Sequence, residues 1–365
     1  MSDITIDADS VCVAWESGAH SDLPHLWLRD NCGCSDCRIE QTSEKRFLIA
    51  DVSADLAPAN VELIEDRLFI EWPDGHRSSF SGEFLRSFGA DEAAAIKYWS
   101  AGFVPKHFSY SEFLEVDSVA ESAIEEFLAA GAIVLDNAPQ NRGTLEYLAP
   151  RLGPIREVLF DRIHDVAVDP SGYNVAHTAL PLPPHNDFAS YTWPPSVQAL
   201  HMLENQATGG LSIIVDGWAL LNSLRDEHPD LFDVLCKQAV PFREFDENNE
   251  TFAIEPIIRC DLEGNVSGFR FSNQLMQTID PNQADTVNFY RAYHELCRRV
   301  VDPKRHAKFR LEGGQILIVA AHRVLHGRDA FESTGRRHLQ DAYFEFDNVR
   351  NALTVLRRRR IQNDG

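Results

Sequence analysis

The sequence predicts a mixed α/β chain, mainly β, with a jelly-roll (double-stranded β-helix) core, flanking helices and a small β-rich module in front. Three observations predict it. Residues 116–131, VDSVAESAIEEFLAAG, have helical period, an acidic start and a glycine stop, and lead into the buried-strand run AIVLDNAP. Beyond about residue 170, short strand-like runs with turn punctuation take over: VQALHMLEN, LSIIVDG, FAIEPIIR, VSGFRFSN, GQILIVAAHRVLHGR and RRHLQDAYFEFD. Two helical stretches, 218–238 and 285–301, interrupt them. Helices first, then many strands with a helical insertion, is the layer pattern of a β-sandwich or barrel with helices outside.

At the N-terminus, SVCVAWE and RLFIEWPDGHRSSF are short alternating or branched apolar runs, and PDG is a turn signal. The expected domains are residues 1–95 and 96–365. DEAAAIKYWSAGF, 91–103, reads as a connecting helix or linker, and GTLEYLAPRLG, 143–153, as a second short helix. The chain shows no internal repeat and no low-complexity segment.

The 365 residues suffice for a large core, and 44% hydrophobic with 25% charged residues is a globular composition. The formal net charge of −22, from 34 basic and 56 acidic residues, repels nucleic-acid phosphates and anionic membranes, so neither is an expected partner. The basic run LRRRRIQ, 356–362, reads either as an RNA-binding tag or as a helix end packed on its own domain. The first residues carry acids where a signal peptide has basic ones, and no apolar stretch reaches the ~20 residues of a membrane span. A cytoplasmic protein is expected.

Seven cysteines in a reducing compartment favour metal over disulfides. Cys32, Cys34 and Cys37 crowd into LWLRDNCGCSDCR. Thiolates so close can converge on one tetrahedral ion, and His76 in the PDGH turn is the candidate fourth ligand. A closed Cys₃His set is a structural zinc site that supplies folding energy. The alternative is three reduced free thiols.

A second constellation begins at LPPHNDFASYTWPP. His185 and Asp187, two apart in an extended segment, project side by side. The pair reads as a metal clamp, half of an acid/base relay, or neither. A third partner comes from HRVLHGR, where His326 stands at the end of an apolar run and His322, four residues earlier, competes with it. Two histidines and a carboxylate leave positions open on Fe(II) for a cosubstrate and dioxygen. A dicarboxylate cosubstrate then calls for an arginine fork, and STGRRHLQDAY supplies Arg336 and Arg337, the latter eleven residues after His326.

LWLRDNCGCSDCR, PHNDFASYTWPPSVQALHMLENQATGG, IVDG, RVLHGR and RRHLQDAY together resemble the gamma-butyrobetaine hydroxylase family of Fe(II)- and 2-oxoglutarate-dependent oxygenases, over nearly the whole chain. The resemblance implies a double-stranded β-helix, iron held by His185, Asp187 and His326, 2-oxoglutarate gripped by Arg337, structural Zn(II) on the N-terminal cysteines, and a homodimer. It places Ser212 at a hydroxyl position that touches the cosubstrate, with Leu211 where relatives carry an acid. In that family asparagines hold the substrate's acid group and an aromatic cage surrounds its trimethylammonium, a cation–π match. The corresponding positions here are Asn174 and Asn273 for the acid, and Phe160 and Tyr343 for the cage. His164 and His177 stand where the family has tryptophan and tyrosine.

The expected activity is hydroxylation of a small zwitterion such as gamma-butyrobetaine, with 2-oxoglutarate and dioxygen as co-reactants. The alternative is a trimethylammonioethylphosphonate substrate, since histidine can donate to an anionic group. A substrate short of a full quaternary ammonium is a further reading. Two other classes use the same residues. A zinc hydrolase would need no arginine clamp, and a degenerate binding module would not keep all three ligands.

Overall fold

Of the 365 residues, the computed structural model describes 1–88, 95–159, 161–167, 175–282, 285–332 and 335–364. The chain divides into two compact units, Met1–Ala93 and Ala94–Gly365. The first holds two three-stranded antiparallel sheets, Asp3–Ile6 with Ser10–Ala14 and His20–Pro24, and Asn60–Ile64 with Arg67–Glu71 and Arg77–Ser81. Val11, Leu28, Leu68, Ile70 and Trp72 form its core.

In the second unit ten strands build two sheets. In chain order they are β1 (Lys106–Ser109), β2 (Ala132–Asp136), β3 (His164–Ala167), β4 (Leu182–His185), β5 (Val197–Asn205), β6 (Ser212–Asp216), β7 (Ala307–Phe309), β8 (Gln315–Ala320), β9 (Val324–Arg328) and β10 (Arg337–Phe344). The larger sheet runs β1-β2-β8-β5-β10-β3, antiparallel except for β1 with β2, and the smaller runs β4-β9-β6-β7. The five longest helices described in this unit flank them: α1 (Asp117–Ala130), α2 (Gly217–Glu227), α3 (Pro229–Lys237), α4 (Thr286–Val300) and α5 (Phe346–Asp364). Two sheets with outer helices are the expected jelly roll.

Strand alternation sorts the core into layers. Val197, Ala199, Ile316, Ile318, Ala342 and Phe344 turn outward to pack with α1 and α5 residues. The alternate positions Leu200, Leu317, Val319 and Leu339 turn inward and meet Ile214 and Val324 of the smaller sheet. Ile213, Val215 and Leu325 cover the smaller sheet's other face together with α2, α3 and α4. β5 is buried on both faces over its first seven residues, which is why apolar residues fall on both of its faces rather than alternating with exposed ones.

Differences from expectation fall at prolines and turns. The 218–238 stretch is two helices, because Pro229 opens α3 and holds His228 at φ −142°, outside the helical region. The 252–259 run breaks after Pro256 into Glu250–Pro256 and Ile258–Cys260. GQILIVAAHRVLHGR is not one strand but β8 and β9, in different sheets, with His322 in the turn between them. Residues 143–153 form a 3₁₀ turn and a single short helix. Residues 95–100 have no regular structure, and 91–94 of the expected connecting helix lie outside the described residues.

The C-terminal basic run belongs to α5 and pairs with α1: Arg357 with Glu125 at 2.8 Å, Arg360 with Glu121 at 2.8 Å and Arg359 with Asp117 at 3.7 Å. No helix among the described residues is long and apolar enough to cross a membrane.

One ion pair lies in full burial. Asp216, at the end of β6, and Arg323, just before β9, have side chains 0% and 3% exposed and meet at 2.8 Å. Arg323 also donates to the carbonyls of Ala129 and Lys97, while Asp216 accepts the first amides of α2, Trp218 and Ala219, and that of Trp99. Replacing Arg323 with Met strands the Asp216 charge in the interior. The expected outcome is a loss of about 3–5 kcal/mol of stability, read from the shift of the chemical denaturation midpoint.

Candidate active site

In the first unit, Cys32, Cys34 and Cys37 follow the short helix His25–Asp30, and His76 sits in the turn before Arg77–Ser81. The three sulfurs lie 3.3, 3.7 and 3.5 Å from His76 Nε2. A tetrahedral zinc ion with its usual bond lengths separates sulfur from nitrogen by about 3.5 Å, so the four donors fit it. Three thiolates around Zn(II) leave one net negative charge. The buried Arg29 guanidinium, 3.2 Å from Cys37 Sγ, stands against it.

In the second unit, β4 pairs with β9 so that His185 lies directly opposite His326. β4 is an edge strand, as Pro183 and Pro184 within it require. Gly327 allows the approach, since a Cβ there would stand 2.6 Å from the Leu182 carbonyl oxygen. Asn186, buried between the two candidate ligands, ties the turn down. It donates to the Ala321 carbonyl, and both its amide oxygen and its own N–H bond to Phe271. Phe188 follows Asp187 with φ +53°, a left-handed conformation that a bulky residue adopts only under constraint.

His185 Nε2 lies 3.2 Å from Asp187 Oδ1, and His326 Nε2 lies 3.7 Å from Asp187 Oδ2. Adjacent donors on an octahedral ion with bonds near 2.1 Å are about 3 Å apart, so the set fits a metal with a modest contraction. Burial would lower His185, but the hydrogen bond and charge of Asp187 raise its pKa, so a metal bound there displaces a proton. His185 donates from Nδ1 to the Pro183 carbonyl at 2.9 Å, which frees Nε2. Burial pulls His326 down to about 4, so its imidazole is neutral. Burial alone would raise Asp187, but the neighbouring His326 and His185 and the Tyr343 hydroxyl hold it well below the usual carboxylate range. Tyr343 Oη and Gln198 Nε2 donate to its Oδ2 at 2.7 and 2.6 Å. His322 is excluded from the cluster. It lies in the β8–β9 turn, and its backbone oxygen accepts from Phe269 and Trp218.

A cavity of about 770 Å³ opens beside this cluster, within the range of small-molecule sites. Its walls place most of the expected residues. Along β10, alternate side chains Arg337, Leu339, Asp341 and Tyr343 face it, while Arg336 turns away to Glu204. Ser212 and His164 also line it. Arg337 Nε is buried with no hydrogen-bond partner among the described residues, and burial beside Arg328 and Arg310 lowers its pKa to about 10. An arriving anion would relieve that.

The substrate-pocket residues are only partly assembled. Tyr343 reaches the cavity, but its hydroxyl is engaged by Asp187 and Asp341. His177 is buried against the edge of the His164 ring, 5.8 Å between centroids, and does not line the cavity. Asn273 is exposed, and its amide oxygen accepts from Tyr293. Its neighbours Ser272 and Gln274 line the cavity instead. Phe160 and Asn174 lie outside the described residues.

Sequence reasoning missed Asn186, Gln198, Asp341 and Glu244. Gln198 carried a usable signal, since it is a polar residue inside an apolar strand run, where burial demands a partner. Glu244, on the strand Ala239–Phe245, lines the cavity without any such mark.

The family model described as taurine catabolism dioxygenase TauD, TfdA family, matches residues 94–343, and that described as gamma-butyrobetaine hydroxylase-like, N-terminal, matches residues 4–86. The chain is similar to a gamma-butyrobetaine dioxygenase of Pseudomonas sp. (strain AK-1), 34% identical over 96% of this chain and 94% of that one. It is also similar to a trimethyllysine dioxygenase of Meyerozyma guilliermondii, 27% identical over 96% and 94%. Among solved structures, one from Burkholderia xenovorans, described as an alpha-ketoglutarate-dependent taurine dioxygenase, shares the fold with a TM-score of 0.50 at 13% identity, over 67% of this chain and 88% of that one. The chain belongs to the taurine catabolism dioxygenase TauD, TfdA family, and carries the gamma-butyrobetaine hydroxylase-like N-terminal region in front of it.

Proposed function

We propose that this chain is an Fe(II)- and 2-oxoglutarate-dependent dioxygenase that hydroxylates a small zwitterion bearing a trimethylammonium and an acid group, with gamma-butyrobetaine as the first candidate. The observation that carries it is one cavity holding both a His185–Asp187–His326 cluster and, on β10, a buried arginine with an unpaired Nε. A hydrolase has no use for that arginine. The relatives named above act on gamma-butyrobetaine and trimethyllysine, which favours a carboxylate over a phosphonate as the acid group.

Iron held by His185, Asp187 and His326 would supply the oxidising chemistry by which 2-oxoglutarate and dioxygen become succinate and carbon dioxide while one oxygen enters a substrate C–H bond. The chain's own part is positioning. Arg337 offers a planar fork to the distal carboxylate of 2-oxoglutarate, with Ser212 as an additional hydroxyl contact. Tyr343 and Gln198 keep Asp187 ionised and fix its orientation. Leu200, Leu317 and Leu339 line the cavity and exclude water. Cys32, Cys34, Cys37 and His76 hold structural zinc in a first domain, residues 1–95, ahead of the catalytic one. Four ligands leave no position open for chemistry. A homodimer, on the family resemblance, working in the cytoplasm, on the acidic character of the first residues, is the expected form. Gel filtration tests it.

The deciding assay is succinate formation by the iron-loaded protein, with the product checked by mass for one added oxygen. Asp187→Ala is expected to abolish iron-dependent succinate formation, and retained activity sinks the assignment. Arg337→Met is expected to raise the KM for 2-oxoglutarate by roughly 100-fold, because a charged, bidentate contact is lost. Cys34→Ser is expected to release zinc and expose residues 1–88 to proteolysis, since a structural zinc carries folding energy on the order of 10 kcal/mol. Binding of 2-oxoglutarate, by calorimetry, is expected to survive that change.

A further inference from the structure

With Asp187 committed to iron and Arg337 to 2-oxoglutarate, β10 still turns one charged side chain into the cavity. That side chain is Asp341, 4% exposed and directly opposite His164 of β3. Its Oδ2 is engaged, lying 2.9 Å from Tyr343 Oη, whose single proton it shares with Asp187, and accepting from Gln198 Nε2 at 3.1 Å. Its Oδ1 receives no hydrogen bond from the described residues, and His164 Nδ1 stands off at 3.6 Å. Gln198, another residue of the cavity wall, has its Oε1 buried and likewise without a donor among the described residues.

Two buried acceptor oxygens without donors cost about 1–3 kcal/mol each. A cationic ligand would recover that cost. Among the other charges in the wall, His164 competes for Asp341: burial would lower its pKa, but the adjacent Asp341 carboxylate raises it, so a ligand cation must displace that imidazolium's contact. Glu244 adds a second acid and is pushed up to about 7 by burial, with Asp187 adding to the shift. Arg243 is occupied by Glu250, and Arg328 donates to the Thr178 and Leu180 carbonyls.

We propose that Asp341 anchors the cationic nitrogen of the substrate, and that Gln198 Oε1 widens the anchor into a two-oxygen acceptor able to take an ammonium N–H. The proposal deepens the reading above and rests on it. A trimethylammonium is held there by charge alone. A dimethylammonium adds a charge-assisted hydrogen bond to Asp341, so the pocket accepts it at least as well.

The test compares kcat and KM of the wild type and Asp341→Asn on gamma-butyrobetaine, its dimethylamino homologue and its uncharged isostere with carbon in place of nitrogen. The wild type is expected to prefer both cations over the isostere by roughly 10- to 100-fold in kcat/KM, with the dimethylamino homologue at least equal to gamma-butyrobetaine. In Asp341→Asn that preference is expected to collapse through KM, while the KM for 2-oxoglutarate and the Tm hold. A variant that keeps the preference, or that loses rate equally on all three, overturns the anchor. If the wild type turns over none of them, the reaction assigned above fails, and calorimetry with dimethylammonium ion judges the anchor by itself. Binding lost in Asp341→Asn upholds it, and equal binding in both overturns it.

Discussion

The buried pair of Asp216 and Arg323 is the constraint on which the second unit depends. Neither charge can be left alone in a dry interior, so the end of β6 and the residue before β9 must meet. Each spends its remaining capacity on backbone: the first turn of α2, the end of α1 and the segment near residue 97. One contact therefore sets where β9 begins. From there pairing does the rest, placing Ile214 and His185 on either side of His326. The two imidazoles of the candidate cluster are aligned by a charge pair that does not belong to it.

The cavity divides its labour by strand position. β4 and β9 bring the imidazoles, kept fit for a metal by burial and by the Pro183 carbonyl. β10 brings a cation at one end and an acid further along, each facing the same space. Tyr343 and Gln198 link that acid to Asp187 by hydrogen bonds shared between the two carboxylates. The orientation of one carboxylate is thus coupled to that of the other.

Much of this was legible in the amino-acid order. The cysteine spacing, the His-x-Asp pair and the arginine after His326 are short-range patterns whose chemistry needs few partners, and the structure brings each set together. Periodicity did not separate His322 from His326, and it was position at the mouth of the run, before glycine and arginine, that favoured His326, the one found in the cluster. The helix break at Pro229 was visible and passed over. Asn273 shows the limit of transferring a position without its surroundings. The residue exists, but it stands exposed at the start of a turn, and its neighbours Ser272 and Gln274 line the cavity. Asp341 hid for the opposite reason, since an acid in a strand reads as a solvent-facing residue until the second layer is known.

The alternation along β10 has a consequence for how such a protein can change. Its odd positions, 337 to 343, serve the cavity, and Ala342 and Phe344 serve the packing against helices. Deleting or inserting a single residue would exchange the two sets, sending Arg337 and Asp341 into an oily interface and Phe344 toward the metal. Such a lesion would destroy folding and chemistry together. Point substitution at 339 or 341 disturbs neither frame. New substrates are therefore reachable in this scaffold by replacement of side chains, while the length of β10 is closed to variation.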